Sequence, residues 1–312
     1  MRRRLRIAVS VLAVLGLVDG IYRRLGEARD IRRYPPPGEL IDIGGRCLHL
    51  WRAGRGTPSV VIVAALGTPG SEWLGVQQGL AHHTGVYVYD RAGLGWSDPA
   101  PWPRTYPRMA DELHQLLTAA AIPPPYLLVG HSTGGIIVRQ FAARHPEGLA
   151  GLVLIDSSHE DQIRRLSPFK NHERVQLWRR AARCRLKPLG LIRITQDLGI
   201  RARPTDPAAI IAQTSRCRRA DAQELINHAL TMPWSTPPDL GDLPLTVITA
   251  GAAGRGRRQP VWLQMQAELV GLSTHSTQLV AENAGHHINH DDPDFLIQAL
   301  REAIIDLRHR SV

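Results

Sequence analysis

Five residues, Gly130-His131-Ser132-Thr133-Gly134, separate a buried-type run, Tyr126–Gly130, from a helical pattern over Thr133–His145. A strand that passes into a helix with no loop between them must lay that helix back across its sheet. The unit therefore demands βαβ crossovers and a mostly parallel sheet. Glycine at 130 and 134 lets strand and helix approach each other. The G-x-S-x-G spacing lifts the Ser132 hydroxyl clear of both elements and sets it beside the unsatisfied amides of a helix N-terminus.

The rest of the chain keeps the same rhythm. Glu39–Ile43 and Cys47–Arg52, joined by Gly44-Gly45, read as an opening hairpin. Val60–Ala65 is a continuous apolar run of the kind buried on both faces of a parallel sheet. Helical spacing follows over Trp73–His83, then a strand at Gly85–Tyr89. A helix over Tyr106–Ala121 carries Met109, Leu113, Leu116 and Leu117 on one face, and Leu152–Ile155 gives a further strand. The alternation resumes with strand Leu245–Ala250, helix Val261–Leu272, strand Gln278–Ala281 and helix Pro293–Arg308. The expected fold class is α/β, with a mostly parallel, doubly wound sheet.

Residues 157–239 break that rhythm. They read as short helices, around Arg174–Arg185 and Pro207–Ala229, and no buried β-branched run occurs among them. The segment is expected to be a helical lid over one edge of the sheet, with extra helices on the sheet flank as the alternative. At roughly 150 residues per domain, 312 residues allow two domains or one core carrying a large insertion, and the broken rhythm favours the second. The division is then 1–33, an N-terminal segment; 34–156 and 240–312, the two parts of the core; and 157–239, the lid.

The formal charge of +10 invites a nucleic-acid reading. Its placement argues against one. Nine arginines face three acids in residues 1–33, and fifteen basic residues face eight acids in 157–239, so the rest of the fold is slightly acidic. Only Lys170 and Lys187 are lysines, a bias toward arginine rather than a phosphate-binding pattern. The basic lid would draw in anionic substrates or lie against anionic lipid heads, unless its arginines simply solvate helix faces. An apolar run from Ile7 to Val18 follows four arginines, and Asp19 interrupts it. With Arg23 and Arg24 snorkelling, Ile7–Tyr22 reads as a short uncleaved signal anchor; a cleaved signal peptide and an amphipathic helix are the alternatives. The anchor would keep the N-terminus cytoplasmic and place the body at the cell envelope, with possible membrane association. Tyr34-Pro35-Pro36-Pro37-Gly38 is a stiff spacer after it. Of the three cysteines, Cys184 and Cys217 fall in the lid and could pair after export, leaving Cys47 odd.

A nucleophilic Ser132 needs a base. Ala284-Gly285-His286-His287-Ile288, after the last strand, offers His286 first and His287 second. A metal site from His286, His287 and His290 lacks any supporting carboxylate or cysteine pattern, so no metal is expected. The glycine-rich run 251–256 lacks the Lys-Ser/Thr of a phosphate-binding loop, and no G-x-G-x-x-G follows the first strand, so no nucleotide cofactor is expected either.

With Ser132 in its elbow, Gly285-His286 near the C-terminus and Asp90-Arg91-Ala92-Gly93-Leu94-Gly95-Trp96-Ser97-Asp98 upstream of both, directly after the strand Gly85–Tyr89, residues 39–312 resemble the α/β-hydrolase fold superfamily, in its branch of lid-bearing serine hydrolases. The resemblance implies that the Asp-Arg-x-Gly-x-Gly-x-Ser block shapes a loop beside the active site and supplies no catalytic atom. It also implies an oxyanion hole from two backbone amides, Thr133 in the elbow and Leu66 after the third strand. The sequence departs from the family pattern twice. Ala64-Ala65 stands where members usually carry His-Gly, and the usual acid position, after Leu245–Ala250, reads Gly251-Ala252-Ala253-Gly254 with no carboxylate before Glu268. Some lid-bearing relatives place the acid at the end of the preceding strand, which here is Asp156. Glu160 and Asp161 are alternatives, as is the absence of any acid. The expected activity is hydrolysis of a small carboxylic ester or lactone through an acyl-enzyme; serine in the elbow disfavours epoxide hydrolysis and dehalogenation, for which the resembling families use aspartate. A catalytically silent scaffold serving as a receptor or binding protein is the alternative.

Overall fold

The computed structural model describes residues 2–166, 195–202, 204–231, 237–251 and 258–310, with residues 175, 179 and 193 singly. Among the described residues eight strands form one sheet: β1 (Glu39–Asp42), β2 (Cys47–Ala53), β3 (Ser59–Val63), β4 (Val86–Tyr89), β5 (Tyr126–His131), β6 (Leu149–Ile155), β7 (Leu245–Ala250) and β8 (Ser276–Ala281). Their order is β1-β2-β4-β3-β5-β6-β7-β8. The opening hairpin joins antiparallel, and every pairing from β4 to β8 is parallel. The described helices are α1 (Arg2–Arg33), α2 (Leu74–Leu80), α3 (Tyr106–Ala119), α4 (Thr133–Arg144), α5 (Gln162–Leu166), α6 (Pro207–Ala212), α7 (Ser215–Thr231), α8 (Gln259–Val270), α9 (Ile288–Asp291) and α10 (Pro293–Arg310).

Side chains that alternate along a strand feed two cores, one on each face of the sheet. Val61, Val63, Leu128, Leu152, Leu154 and Val247 pack beneath α3 and α4, against Leu113, Leu117, Ile137 and Phe141. Val60, Ile62, Leu127, Val129, Val153 and Ile248 pack on the other face, against Val76, Leu80, Leu296, Leu300 and Ile304 of α2 and α10. Burying each of these aliphatic side chains contributes roughly 1.5–3 kcal/mol, so the two cores hold the strand tips rigidly. From β3 the chain steps out to β4 on one side, and from β4 it crosses back to β5 on the other side of β3. The crevice outside the C-terminal ends of β3 and β5 is thus the topological switch point, the usual place for a ligand in such a sheet.

The Asp90 block folds as a polar hub at that end. The buried Asp90 carboxylate accepts from the Gly70 amide at 2.8 Å, the Trp96 amide at 3.1 Å and His49 Nδ1 at 2.9 Å. His49 Nε2 in turn accepts from the Gly38 amide at 3.0 Å, which leaves the ring neutral and ties the spacer to the core.

Several edges differ from the sequence expectation. β3 ends at Val63 instead of Ala65, because the Ala64 and Ala65 carbonyls go to the Arg91 guanidinium. β6 begins at Leu149, three residues before the expected start, where Leu149 pairs with Tyr126 and the register shifts between Tyr126 and Leu127. Pro207–Ala229 is two helices. Asp206 caps α6 by accepting from the Ala209 amide, and Thr214 lies within 3.5 Å of the Cys217 amide at the start of α7. The helix expected around Arg174–Arg185 lies mostly outside the described residues, as does Cys184. Cys47 and Cys217 are free thiols, and Cys217 is buried.

The spanning anchor expected over Ile7–Tyr22 is not supported. No helix among the described residues is long and apolar enough to cross a membrane. The physical reason lies in α1 itself, where Asp19 breaks the apolar run and arginines stand on both sides of it. Near its C-terminal end, α1 meets the inserted segment through an ion pair of Asp30 with Arg193 at 2.7 Å.

Candidate active site

Ser132 sits between β5 and α4 with φ 54 and ψ −120, a conformation that costs a non-glycine residue energy and that the surroundings must enforce. They do so by crowding. A Cβ on Gly130 would meet the Gly135 Cα at 2.6 Å, and one on Gly134 would run into the Val63 carbonyl. The Ser132 amide donates to the Ile155 carbonyl at 3.0 Å, and its carbonyl accepts from the Ser158 amide at 2.9 Å. The elbow is therefore stitched to the end of β6. Thr133, the first residue of α4, carries one of the amides that lack an intrahelical partner.

The end of β6 supplies Asp156. It is fully buried, has φ 37, and its amide donates to the Ile248 carbonyl at 2.7 Å. Its Oδ2 lies 2.5 Å from His286 Nδ1. Oδ1 accepts from Trp262 Nε1 at 2.7 Å and from the Ala250 amide at 3.3 Å. His286 Nε2 lies 3.1 Å from Ser132 Oγ. A carboxylate only accepts, so Nδ1 of His286 carries the proton facing Asp156 and Nε2 is left as the acceptor for the Ser132 hydroxyl. Ser132, His286 and Asp156 are thus one hydrogen-bonded chain drawn from the tips of β5, β8 and β6.

The other candidates are engaged elsewhere. Glu160 pairs with the buried Arg139 at 2.8 Å, and Asp161 pairs with Arg164. Glu268 meets Arg165 and His159. The His287 ring lies against His131 and His290, and burial, then the neighbouring His286 and His290, lowers its pKa. His290 pairs with Glu72 at 2.6 Å. The turn 252–257, where a family acid would be usual, lies outside the described residues.

Two residues of the site escaped the sequence reading. Trp262, on α8, fell inside the helix expected over Val261–Leu272 with nothing to single it out; only the packing of α8 against β7 brings its indole to Asp156. His131 was the variable position of the elbow. Its Nε2 lies 2.8 Å from the His286 carbonyl, which can only accept, so His131 donates and holds the base-bearing loop. Burial, aided by the neighbouring His286, lowers the His131 pKa to about 3 and keeps the ring neutral. Beside these groups lies a cavity of about 350 Å³ against Gly67, Thr68, Trp73, His131 and His287. A second cavity, of about 680 Å³ and lined by Tyr34, Trp51, Val76 and Trp96, shares Glu72, Asn289 and His290 with it.

Residues 58–183 match the family model described as alpha/beta hydrolase fold. The chain has the α/β-hydrolase fold. It is 26% identical over 251 residues to the uncharacterized protein YqjL of Bacillus subtilis, across 80% of this chain and 84% of that one. A thermophilic esterase from Thermogutta terrifontis superposes with a TM-score of 0.64 at 24% identity, over 84% of this chain and 94% of the esterase. An enol-lactonase from Burkholderia xenovorans LB400 superposes with a TM-score of 0.63 at 18% identity, over 86% of this chain and 100% of the lactonase. These superpositions show a common fold. In this chain an inserted helix reaches the site as well: the half-buried Leu66 packs on Ala222, Leu225 and Ile226 of α7.

Proposed function

We propose that this chain is a serine hydrolase that opens carboxylic esters or lactones through an acyl-enzyme. The observation that carries the reading is the unbroken chain Ser132 Oγ–His286 Nε2–His286 Nδ1–Asp156 Oδ2, at 3.1 Å and 2.5 Å. Ser132 attacks the carbonyl carbon while His286 takes its proton, and Asp156 stabilises the imidazolium that forms. The amides of Thr133 and Leu66 receive the oxyanion, each worth roughly 3 kcal/mol in the transition state. Collapse returns the proton through His286 to the leaving alkoxide, which departs as an alcohol or, from a lactone, stays tethered to the acyl group. Water, deprotonated by His286, then releases the acid and restores Ser132. The fold neighbours named as an esterase and an enol-lactonase support this substrate class. The cavity beside Gly67 and His131 offers room for a small acyl or alcohol group.

Labelling with a fluorophosphonate tests it directly. The wild type is expected to label and S132A to remain unlabelled, followed by turnover on a panel of p-nitrophenyl esters and lactones. A well-folded wild type that takes no label would sink the enzyme reading and put the silent binding scaffold first.

A further inference from the structure

The loop after β3 is gripped from one side by a single guanidinium. Arg91 Nη1 donates to the Ala64 carbonyl at 2.7 Å and Nη2 to the Ala65 carbonyl at 2.7 Å. The remaining edge of Arg91 meets Glu224 of α7 in a fork, Nε to Oε1 at 2.9 Å and Nη2 to Oε2 at 2.8 Å. Glu224 Oε2 then accepts from the Gly67 amide at 2.9 Å. Both side chains are buried, at 3% and 1% exposure. Three consecutive backbone groups around Leu66 (the Ala64 and Ala65 carbonyls and the Gly67 amide) are thereby assigned to one ion pair.

The consequence follows from peptide geometry. Across a trans peptide the C=O and N–H point in opposite directions. With the Ala65 carbonyl held on Arg91, the Leu66 amide faces away from Arg91. Turning that peptide over would break a charge-assisted bond in a buried place, and would leave the guanidinium short of a partner. The Gly67 amide, already given to Glu224, cannot serve in its place. Gly67 itself has φ +64, which lets the chain leave the turn at once.

We propose that Arg91 and Glu224 are positioning residues for the oxyanion hole: they lock the Ala65–Leu66 peptide so that the Leu66 amide is presented to the carbonyl oxygen under attack. This rests on the acyl-enzyme reading above. It assigns a role to α7, because the helix that supplies Glu224 comes from the inserted segment and not from the core. Desolvation works against both charges, yet each holds the other ionised; the Glu224 carboxyl stays below its ordinary value through Arg91 and the Gly67 amide. The guanidinium is driven above its own by Glu224.

A buried ion pair could equally be scaffolding, so the test compares two substrates that differ in one atom. A thionoester places sulfur, a much weaker hydrogen-bond acceptor, where an ester develops its oxyanion. A mislaid hole therefore harms the oxygen ester most, whereas a loosened fold harms both alike. E224Q and R91K, measured on a matched ester and thionoester, are expected to lose kcat on the ester by about 10²-fold with KM within about twofold, and to lose several-fold less on the thionoester. R91K keeps the charge and loses the fork, so its defect would trace to geometry. If either single variant fails to fold, R91M/E224L removes the pair while keeping apolar volume and is expected to show the same selective loss. Equal losses on both substrates, or a wild-type ester-to-thionoester ratio in the double variant, would overturn the proposal. A wild type that neither takes fluorophosphonate nor turns over the ester would instead mean that the acyl-enzyme reading itself has failed.

Discussion

Two buried Arg–Glu pairs flank Ser132, and they join very different parts of the chain. Arg139 on α4 and Glu160 lie 21 residues apart; Arg91 and Glu224 lie 133 apart. Arg139 also donates to Ser157 Oγ and to the Ser158 carbonyl, both at 2.9 Å, so it braces the turn that follows Asp156. That turn is bonded to the elbow through the Ser158 amide and to α8 through Gln266 Nε2, which donates to the Ser157 carbonyl at 2.8 Å. The acid side of the site is therefore built from the core and its immediate continuation. The oxyanion side is closed by a helix from an insertion. The first arrangement is set once the sheet forms; the second also needs α7 docked. Loss of the Arg139–Glu160 pair should register in folding, and loss of the Arg91–Glu224 pair in turnover.

The comparison breaks most visibly at Asp156. D156N would leave His286 facing an amide able to stabilise the wrong tautomer, and kcat is expected to fall by about 10⁴-fold with the fold retained. A loss under about tenfold would mean that another carboxylate orients His286. Next comes R139M, which strands a buried Glu160 without its cation. It is expected to cost about 3–5 kcal/mol in urea unfolding, with R139M/E160L recovering most of it. Wild-type stability in R139M would remove the structural side of the contrast.

How far the site could be read in advance tracks these distances along the chain. Ser132 and His286 announce themselves locally, one in a five-residue turn and the other beside a glycine after the last strand. Asp156 could be proposed only because the usual position held no carboxylate. Its partners Trp262 and Ala250 lie about a hundred residues further on, and only the pairing of β6 with β7 puts them beside it. Glu224 sits in a helix with little to mark it, and its partner is reached only through the fold. The continuous apolar run Val60–Ala65 made the two-faced sheet readable, whereas β3 stops where Arg91 takes over the Ala64 and Ala65 carbonyls. The arginines of the inserted segment read as a basic surface. Several of those described are bound within the chain: Arg164 to Asp161, Arg165 to Glu268, Arg193 to Asp30 and Arg216 to the Gly95 carbonyl.

Trp262 gives a finer cut on the acid side. W262F keeps an aromatic ring but withdraws the indole proton from Asp156 Oδ1. A hydrogen bond to a buried charged group is worth roughly 1.5–3 kcal/mol, and about a tenfold fall in kcat is expected if about half of that is realised in the transition state. Unchanged kcat would mean that the Ala250 amide suffices to hold the carboxylate.

The smallest effect compares the two regions through histidines. His131 belongs to the elbow. His228 belongs to α7, where its Nδ1 lies 2.6 Å from the Tyr106 hydroxyl and its Nε2 lies 3.0 Å from Gln162. Burial lowers His131 from 6.5 to about 3 and His228 from 6.5 to about 4. Well above pH 6.5 neither ring binds a proton in either state, and their effect on stability is constant. As pH falls below 6.5 the unfolded chain takes up protons that the folded chain refuses, so stability declines toward pH 4, by up to about 1.4 kcal/mol per pH unit for each histidine. H228Q is expected to be less stable at pH 7 and to show a shallower decline between pH 6.5 and 4.5, by about one proton, because His131 still contributes its share. Urea unfolding across that range reads the slope. Parallel slopes for H228Q and the wild type would mean that α7 opens before His228 refuses its proton, and the oxyanion side would then be held more loosely than the acid side even in the native state.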